Sequence, residues 1–367
     1  MTSYSFATRA VHAGLEPDPT YGSVIPAIHQ TSTYAQPAPG SFVADFDYAR
    51  SGNPTRSALE LALGELEGGL GSAFSSGMAA THALLTAAAA AGSHVILPDD
   101  LYGGTYRLVD KVLARWGLEY DLVDQTDPDA VAALIRTETA VIWVETPTNP
   151  TLNVVDIEAI VARKRHALVV VDNTFATPVI QRPLELGADA VVHSTTKYLG
   201  GHSDTVGGAV IVRDAELHEQ VRFVQNSVGA VPGPFDCFLV HRGLRTLHLR
   251  VAAHTQSARA VSEFLRDQPG VEDVRWPGFG GMVSFRHPGA VTLATSTKLF
   301  TLAESLGGVE SLIEVPQVMT HQSVEGSAAA VPADLVRLSC GVEAPEDLVE
   351  DLAAALTALA EPVAASL

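Results

Sequence analysis

Cysteine is scarce in this chain of 367 residues, which contains only two. Cys237 and Cys340 lie far apart in the sequence and lack the paired spacing of a zinc site or a redox motif. Their number excludes a framework of several disulfides. We therefore expect two buried thiols in a reducing compartment and no metal site.

Basic residues are also few, because 23 Lys and Arg stand against 42 Asp and Glu, a formal charge of −19. This excess of negative charge argues against broad attraction to nucleic acid or to an anionic membrane. An anionic ligand must instead meet a local basic site. With 47% hydrophobic and 18% charged residues and no charge block, the composition is that of a packed globular protein.

Long apolar runs are absent as well. The most apolar window, residues 83–91, is mostly alanine and is much shorter than the roughly 20 residues that span a bilayer, so it predicts a buried helix. The first residues, MTSYSFATRAVHAG, contain no apolar stretch of signal-peptide length. We expect a cytoplasmic protein with neither membrane nor nucleic acid as a partner.

Short apolar runs alternate with amphipathic stretches, which indicates an α/β fold of βαβ units with a mostly parallel sheet. Several runs are apolar throughout, as expected for strands that have helices on both faces. Helical patterns lie near 104–116, 127–136 and 156–165. The predicted strands are HVILP (94–98), EYDLVD (119–124), AVIWVE (140–145), ALVVVD (167–172), AVVHST (190–195) and GAVIVR (208–213).

The chain is long enough for one large α/β core plus a smaller domain, because single cores stop growing at roughly 250 to 300 residues. Residues 1–50 are rich in Pro, Gly, Ser and Tyr without sustained periodicity, and they predict an arm that contacts a neighbouring subunit. A long helical pattern over 235–264 leads into a C-terminal third of mixed signals. We therefore predict a large cofactor-binding domain over 51–245 and a smaller α+β domain over 246–367.

Polar residues follow several predicted strands, at the edge where open α/β sheets bind ligands. Asp172, Glu145 and Asp99 follow three apolar runs, although an aspartate in such a place is more often a helix cap. Lys197 follows three hydroxyl residues and precedes the turn YLGG. A lysine in a partly dry site loses proton affinity and becomes a usable amine nucleophile. A solvated loop lysine is the alternative.

The motif SSGMAA at 75–80 precedes a helical pattern, so its backbone N–H groups and the helix dipole can face an anion. Alone the motif is weak, because serine–glycine turns that only cap helices are common. Combined with an aspartate for a pyridinium nitrogen and a lysine for an aldehyde, it supplies the contacts that pyridoxal 5′-phosphate (PLP) chemistry needs. No G-x-G-x-x-G follows the first strand, which disfavours a nucleotide-binding Rossmann protein.

Six motifs stand in order along the chain: YARSGNPT (48–55), SSGMAA (75–80), DLYGGT (100–105), ETPTNP (145–150), VDNT (171–174) and HSTTKYLGGHSD (193–204). Together they resemble the cysteine and methionine metabolism family of PLP enzymes, and the resemblance runs from about residue 6 to 355. It implies the PLP-dependent transferase fold type I, with a smaller C-terminal α+β domain. It also implies a homo-oligomer, expected to be a dimer of dimers (a homotetramer), with active sites shared between subunits.

The resemblance implies roles for individual residues near the cofactor. Lys197 would hold PLP as a Schiff base, and Asp172 would pair with the pyridinium nitrogen. Tyr102 would stack on the ring and move protons at the leaving group. The phosphate would be bound by Gly77, Met78, Ser194 and Thr196, and by Tyr48 and Arg50 of a neighbouring subunit.

The resemblance also implies a binding site for a sulfur amino acid. Arg337, in DLVRLSCGVE, would bind the substrate carboxylate with help from Asn149 and Ser305, whereas an arginine in an amphipathic strand is otherwise a solvated charge. Glu304, in FTLAESLGG, and Asp47 would face the distal end of the substrate. A surface glutamate is the alternative for Glu304.

The family contains cystathionine γ-lyase, γ-synthase and β-lyase and methionine γ-lyase. In the γ-enzymes, elimination yields a 2-oxoacid and ammonia, whereas capture by cysteine yields cystathionine. The FTLAESLGG pattern favours these two outcomes, and we predict a cystathionine γ-lyase, with γ-synthase as the alternative. Methionine γ-lyases carry cysteine at the position of Gly104, which disfavours methionine. A non-catalytic PLP-fold protein is disfavoured because Lys197, Asp172, Tyr102 and Arg337 are all present.

Overall fold

The computed structural model describes residues 4–322, 326 and 330–360. Its centre is a seven-stranded sheet, whose strands we number β1 to β7 in chain order. They are Leu70–Phe74, His94–Pro98, Glu119–Val123, Thr139–Glu145, Leu168–Asp172, Ala190–Ser194 and Gly208–Val212.

The strands of this sheet lie in the order β1-β7-β6-β5-β4-β2-β3. The pairs β2–β3, β2–β4, β4–β5 and β5–β6 are parallel, whereas β7 pairs antiparallel with both β6 and β1. The predicted mostly parallel sheet is therefore confirmed, with an antiparallel pair added at one edge.

The α-helices of the described residues are numbered α1 to α13. They are Phe6–His12, Pro54–Glu67, Gly77–Ala88, Gly103–Arg107, Pro128–Leu134, Ile157–Val161, Thr177–Ile180, Ala215–Val228, Pro234–Leu244, Leu247–Arg266, Ala290–Ala294, Pro316–Met319 and Pro345–Ala360.

Three helix predictions need correction. The pattern at 104–116 is α4 followed by a π-helical turn, Leu108–Leu113, and a 3-10 turn, Ala114–Trp116, and Gly117 ends the run with φ at 90°. The alanine-rich helix predicted over 83–91 is the second half of α3 and ends at Ala88. The pattern over 235–264 is two helices, α9 and α10. Residues 245 and 246 separate them, and Arg250 of α10 donates to the carbonyl oxygen of Gly243, in the last turn of α9.

Of the seven strands of this sheet, β1 is the one that the sequence did not predict. Its sequence, LGSAF, contains glycine and serine and no continuous apolar run. A Cβ on Gly71 would lie 2.3 Å from the carbonyl oxygen of Glu60, so glycine is needed where β1 passes close to α2. Because the close approach of β1 to α2 requires glycine, the strand lacks the continuous apolar run that would have identified it in the sequence.

The sheet has apolar layers on both faces, because side chains alternate along each strand. Val170 and Val192 pack on one face with residues of α3 and α8. Val169 and Val171 pack on the other face, in a cluster that includes Ile157 of α6. This confirms the prediction of helices on both faces, and it leaves the strand ends as the open edge.

A second sheet follows α10 and has five strands, β8 to β12, in the order β10-β11-β12-β9-β8. The strands are Glu272–Arg275, Met282–Arg286, Thr301–Leu302, Leu312–Glu314 and Leu335–Ser339. Its core includes Phe285, Val336 and Leu352 of α13. These elements have the mixed α+β character predicted for the C-terminal part, whereas the domain boundary near residue 245 stays a prediction.

The arm predicted over residues 1–50 contains α1 and, beyond it, isolated bridges such as Thr33–Tyr48. Several of its large side chains are exposed, including Tyr21 and Phe42. Contact with a neighbouring subunit stays a prediction. Within the described part of the chain, no helix combines the length and apolarity needed to cross a membrane.

Candidate active site

The carboxyl ends of β4, β5 and β6 open into a cavity of about 340 Å³. This volume suits a small ligand, since such sites typically occupy about 300 to 1,000 Å³. Strand β12 of the second sheet closes the cavity from the opposite side with Arg337. The predicted site residues that line it are Gly77, Met78, Tyr102, Asn149, Asp172, Ser194, Thr196, Lys197, Glu304, Ser305 and Arg337.

Lys197 lies in a turn directly after β6, with its side chain in this cavity. Its Nζ donates to Ser305 Oγ at 2.6 Å. Burial, together with the positive charge of Arg337, lowers the pKa of Lys197 to about 8. The amine is therefore neutral in a larger fraction than an exposed lysine, as a nucleophile or base requires. The alternative of a solvated loop lysine is wrong.

The turn that carries Lys197 is held by a buried arginine. Arg250 donates from Nη1 to the carbonyl oxygen of Tyr198 at 2.7 Å and from Nη2 to that of Gly243 at 2.7 Å. A Cβ on Gly201 would lie 2.0 Å from Arg250 Nη1, and Gly201 has φ at 73°. Gly201, the second glycine of the YLGG turn, therefore leaves space for the Arg250 guanidinium, which holds the turn.

Asp172 ends β5 and lies beside Glu145, which ends β4 in the same register. Burial raises the pKa of Asp172, and hydrogen bonds from Thr174, including N–H to Oδ1 at 3.0 Å, oppose that rise. Burial and the charge of Asp172 raise the pKa of Glu145 well above its usual value. The two strand ends therefore place one hydrogen-bonded carboxylate beside a carboxyl group that tends to keep its proton.

Glu145, which the sequence singled out without a role, holds Tyr102. Its Oε2 accepts from the backbone N–H of Tyr102 at 2.9 Å. A Cβ on Gly104 would lie 2.4 Å from a carbon of the Tyr102 ring. The ring therefore packs against Gly104, and any side chain at position 104 would clash with it.

The start of α3 faces the same cavity. Ser76 caps the helix by accepting from the N–H of Ala79 at 3.0 Å. A Cβ on Gly77 would lie 2.9 Å from Ser194 Cβ, so only glycine allows the helix to approach the end of β6 this closely. The first N–H groups of α3 and the hydroxyls of Ser194 and Thr196 can together hold an anion, and phosphate suits such a site.

Arg337 is almost fully buried, with 3% of its surface exposed. Its Nη1 donates to Asn149 Oδ1 at 2.7 Å, and its Nη2 donates to the carbonyl oxygen of Ser305 at 3.1 Å. Glu314 Oε2 lies 2.9 Å from the same Nη2. The alternative of a solvated strand charge is wrong, because this guanidinium is buried at the cavity wall.

Three predicted residues are not brought to this cavity. Arg50 donates from Nη1 to the carbonyl oxygen of Asn226 at 3.0 Å, and its guanidinium lies 5.8 Å from the centre of the Tyr48 ring. Asp47 accepts from the N–H of Tyr48 at 2.6 Å. Arg50 therefore lies against the end of α8, and none of Asp47, Tyr48 and Arg50 lines the cavity of its own chain.

Sequence reasoning missed several residues of the cavity wall. Thr174 lies two positions after Asp172, and its Oγ1 accepts from the N–H of Ser194 at 2.9 Å, so it ties the ends of β5 and β6 together. Its place in VDNT was a usable signal. Thr320 also lines the cavity, but it follows the short helix α12 and no pattern marks it. Asp99, which the sequence singled out, is not among the lining residues.

The side chains and backbone groups of the cavity fit PLP. The cavity supplies an amine of lowered pKa for an aldehyde, a hydrogen-bonded carboxylate for a pyridinium nitrogen, and a helix start that requires glycine for a phosphate. Among the described residues, no group of three or more His, Cys, Asp or Glu side chains could hold a metal ion.

Comparisons with known proteins agree with this chemistry. A family profile described as "Cys/Met metabolism PLP-dependent enzyme" matches residues 7–357. A cystathionine gamma-synthase of Mycobacterium tuberculosis is 54% identical over 373 residues, covering 95% of this chain and 96% of the relative. A cystathionine gamma-lyase of Macaca fascicularis is 45% identical over 385 residues, covering 97% and 95%.

A solved structure gives the same picture. The crystal structure of a cystathionine gamma synthase from Xanthomonas oryzae pv. oryzae, in complex with aminoacrylate and cysteine, superposes with a TM-score of 0.93 at 42% sequence identity. The match covers 96% of this chain and 98% of that chain.

Proposed function

Because the chain belongs to the Cys/Met metabolism PLP-dependent enzyme family, we propose that its cavity catalyses the cystathionine γ-synthase reaction. In this reaction the thiol of cysteine replaces the acyloxy group on the γ-carbon of an O-acylhomoserine, so the γ-carbon–oxygen bond breaks, a carbon–sulfur bond forms, and cystathionine and the free carboxylic acid are released. The observation that carries this choice is the 54% identity, over nearly the whole chain, to a protein named cystathionine gamma-synthase.

The coarser features of the family are firm. The chain has the fold of PLP-dependent transferases of type I, as expected, and the family uses PLP. Its relatives act as enzymes that make or break carbon–sulfur bonds in cystathionine, as their names state. The sequence predicted γ-lyase first and γ-synthase second, and the relatives support the second more strongly.

PLP, when bound, supplies an electron-poor ring that takes up negative charge from the α-carbon of an amino acid. Lys197 would hold the aldehyde carbon and afterwards move the α-proton; its pKa, lowered to about 8, and the contact of its Nζ with Ser305 support this role. Asp172 would keep the ring nitrogen protonated. Gly77, Met78, Ser194 and Thr196 would bind the phosphate.

The opposite wall would bind the substrate. Arg337 and Asn149 form a buried pair that presents a guanidinium to the α-carboxylate, and Ser305 lies between this pair and Lys197. Glu304 lines the cavity and would meet the distal, γ end of the substrate. Arg337 and Asn149 are buried, which excludes water and strengthens their contacts, whereas Glu304 is exposed at the mouth of the site.

Tyr102 would stack on the cofactor ring and would help to move protons at the leaving group. Burial raises its pKa, so the phenol stays protonated at neutral pH and can act as an acid. Glu145 fixes the backbone of Tyr102, which limits the ring to a few orientations over Gly104.

The site would be completed by a neighbouring subunit. Tyr48 and Arg50 lie outside the cavity of their own chain and would reach the phosphate of another, while Asp47 would face the distal substrate end there. A dimer of dimers in the cytoplasm is the assembly we infer, and the two free, buried thiols, Cys237 and Cys340, are consistent with a reducing compartment.

The γ-lyase reaction is the second candidate, favoured by the 45% identity to a protein of that name. Both reactions require the same proton transfers at the α- and β-carbons. They differ in the fate of the four-carbon fragment that remains after the γ-group has left. In the synthase reaction cysteine adds to it, whereas in the lyase reaction it is hydrolysed to 2-oxobutanoate and ammonia. The cavity residues named above serve either outcome.

A direct assay separates the candidates. The purified enzyme with PLP is given O-succinylhomoserine or O-acetylhomoserine plus cysteine in one arm and L-cystathionine alone in another. We expect cystathionine and free succinate or acetate in the first arm to form faster than cysteine and 2-oxobutanoate in the second. Faster release from cystathionine would establish the lyase reaction instead, and failure of both arms would refute the family activity for this chain.

A further inference from the structure

Two buried polar residues, Glu314 and His321, lie beside Arg337, and the half-buried Thr320, which also lines the cavity, joins them. Glu314 Oε1 accepts from Thr320 Oγ1 at 2.9 Å, while Oε2 lies 2.9 Å from Arg337 Nη2. Thr320 Oγ1 lies 2.9 Å from His321 Nδ1, and His321 Nε2 lies 3.3 Å from the carbonyl oxygen of Asn149. We call Glu314, Thr320 and His321 the Arg337 brace.

The brace follows from local structure. Glu314 and Arg337 are directly paired residues of the antiparallel strands β11 and β12, so their side chains lie on one face. Pro316 starts α12 directly afterwards, and its carbonyl oxygen accepts from the N–H groups of Thr320 and His321 at 3.0 and 2.8 Å. This turn returns the chain to Glu314 after six residues.

The charges and protons of the brace are consistent with a fixed arrangement. Burial raises the pKa of Glu314, and the Arg337 guanidinium opposes that rise. Burial and Arg337 lower the pKa of His321 to about 4, so the imidazole is neutral. A neutral imidazole carries one N–H, and because the carbonyl oxygen of Asn149 can only accept, that proton lies on Nε2. Nδ1 is then an acceptor, so the hydroxyl of Thr320 lies between two acceptors, His321 Nδ1 and Glu314 Oε1.

Burial of these groups lowers the stability of the fold unless they are well paired, because an ion pair taken out of water gains stability only with good geometry and further hydrogen bonds. Here Glu314 and His321 have 1% and 2% of their surfaces exposed. The hydrogen bonds to Asn149 and Ser305 use two of the five guanidinium N–H donors, and because Arg337 lines the cavity, donors remain for a ligand there.

We propose that Glu314, Thr320 and His321 are positioning residues that hold the Arg337 guanidinium in the orientation in which it receives the α-carboxylate of the substrate. This inference rests on the substrate role proposed above for Arg337. The brace should therefore affect the binding of ligands that carry an α-carboxylate and should not affect the binding of ligands that lack it.

Variants of Thr320 test the brace without changing a charge. Thr320→Val keeps the shape of the side chain and removes the hydroxyl, so we expect KM for the O-acylhomoserine to rise about tenfold, with a smaller change in kcat. Thr320→Ser restores the hydroxyl and should restore KM. Glu314→Gln removes the charge and should raise KM by about a hundredfold.

A matched control removes a carboxylate from another arginine on the same sheet. Asp334→Asn breaks the partly exposed pair of Asp334 with Arg286, whose Oδ2–Nη2 distance is 2.8 Å, and should leave KM unchanged. If Glu314→Gln fails to fold, Thr320→Val decides the matter, because it introduces no unpaired buried charge.

Ligand binding to the holoenzyme provides a second readout. The visible absorbance is titrated with 2-aminobutanoate and with 1-aminopropane, which is the same skeleton without the carboxylate. Brace variants should lose affinity for the first and keep it for the second. Equal loss for both ligands, or no loss for either, would overturn the inference, because general damage to the site does not distinguish them.

The role of Arg337 itself is tested separately with Arg337→Gln. If this variant binds both ligands as the wild type does, the substrate role proposed for Arg337 fails, whatever the brace does. If Arg337→Gln loses the amino acid selectively while Thr320→Val and Glu314→Gln do not, the brace inference alone fails.

Discussion

The two walls of the cavity are held in different ways. On the cofactor wall, formed by the ends of β5 and β6 and the start of α3, the hydrogen bonds that hold the two strand ends join residues that are near in the sequence. Asp172 accepts from an N–H two residues away, and Ser194 donates to a threonine 20 residues away. On the carboxylate wall, formed by β11 and β12, Arg337 donates to Asn149 across 188 residues.

The origin of the geometry differs as well. The cofactor wall depends on the backbone, because strand ends, helix N–H groups and the missing Cβ of Gly77 create its shape. The carboxylate wall depends on buried side chains that fix one another, such as Glu314 and Arg337. The cofactor wall should therefore be sensitive to added atoms, and the carboxylate wall to removed partners. Lys197 lies between them and is held by Ser305 from the opposite wall.

Replacement of Lys197 tests the residue on which both walls converge, and it should have the largest effect. Lys197→Ala removes the amine that binds the aldehyde and moves the α-proton, so we expect turnover to fall by about 10⁴-fold. The protein should still bind PLP through Asp172 and the phosphate contacts, without a covalent bond to the chain. Absorbance spectra, together with mass spectrometry after borohydride reduction, measure the attachment.

A matched control is Lys164→Ala, which removes a lysine that pairs with Asp189 at 2.6 Å outside the cavity. Its turnover and its reduced PLP adduct should equal those of the wild type. An adduct that persists in Lys197→Ala would show that another amine holds the cofactor.

The backbone dependence of the cofactor wall is tested by Gly77→Ala. A Cβ would lie 2.9 Å from Ser194 Cβ, so α3 must move away from β6 and the phosphate contacts lengthen. We expect the Kd of PLP to rise about tenfold to a hundredfold, as measured by fluorescence titration of the apoenzyme.

Gly233→Ala is the control for this substitution, because its Cβ would lie 3.5 Å from Asp236 Oδ2, an ordinary contact. It should leave the PLP affinity unchanged. Normal affinity in Gly77→Ala would mean that the wall is not determined by close backbone approach, and the contrast between the two walls would then lose its basis.

The same contrast explains what the sequence could and could not predict. The strands β2 and β4 to β7 and the polar residues at their ends were predictable, because burial on both faces gives continuous apolar runs that a polar residue ends. Lys197 and Asp172 were found in this way. The edge strand β3 is the exception, because its residues are exposed or half-buried. β1 was missed because its close approach to α2 requires Gly71, which breaks the apolar run.

Most of the carboxylate wall was beyond reasoning from local patterns. Arg337 was predicted through the family resemblance, but nothing near it in the sequence indicates Glu314 or His321 as its support. β11 has three residues and α12 has four, which is too short for periodicity to register. Contacts between side chains of different strands and helices depend on tertiary packing, which a local sequence pattern does not encode.

The positions of Tyr48 and Arg50 outside their own cavity lead to the next prediction, which asks whether the cofactor wall is complete in one chain. Arg50→Ala alone should weaken PLP binding, because a guanidinium no longer reaches the phosphate. Mixing equal amounts of Lys197→Ala and Arg50→Ala subunits should restore about a quarter of the wild-type activity at limiting PLP, since about half of the dimers are mixed and one of the two sites in each mixed dimer is intact.

The control for this experiment is to mix each variant with itself after the same dissociation and reassociation. Such samples should gain no activity. If the mixed sample also gains none while subunit exchange is demonstrated, Arg50 acts within its own chain or not at all, and the cofactor wall is complete without a neighbour.

The smallest effect concerns electrostatic coupling between the walls. The pKa of Lys197 is lowered to about 8, first by burial and then by Arg337. A protonated amine cannot attack the aldehyde, so the rate of PLP attachment to the apoenzyme should rise with pH and level off above about 8. Arg337→Gln removes a positive neighbour, so the pKa of Lys197 and the midpoint should move to higher pH. Glu314→Gln removes a negative neighbour and should move the midpoint to lower pH.

Stopped-flow absorbance across pH 6 to 10 measures these midpoints, with Arg286→Gln as a control for loss of an arginine outside the cavity. A control midpoint equal to that of the wild type, with opposite shifts for Arg337→Gln and Glu314→Gln, would show that the carboxylate wall tunes the reactivity of the cofactor wall through charge. Identical midpoints in all four proteins would mean that burial alone sets the pKa of Lys197, and that the two walls act independently.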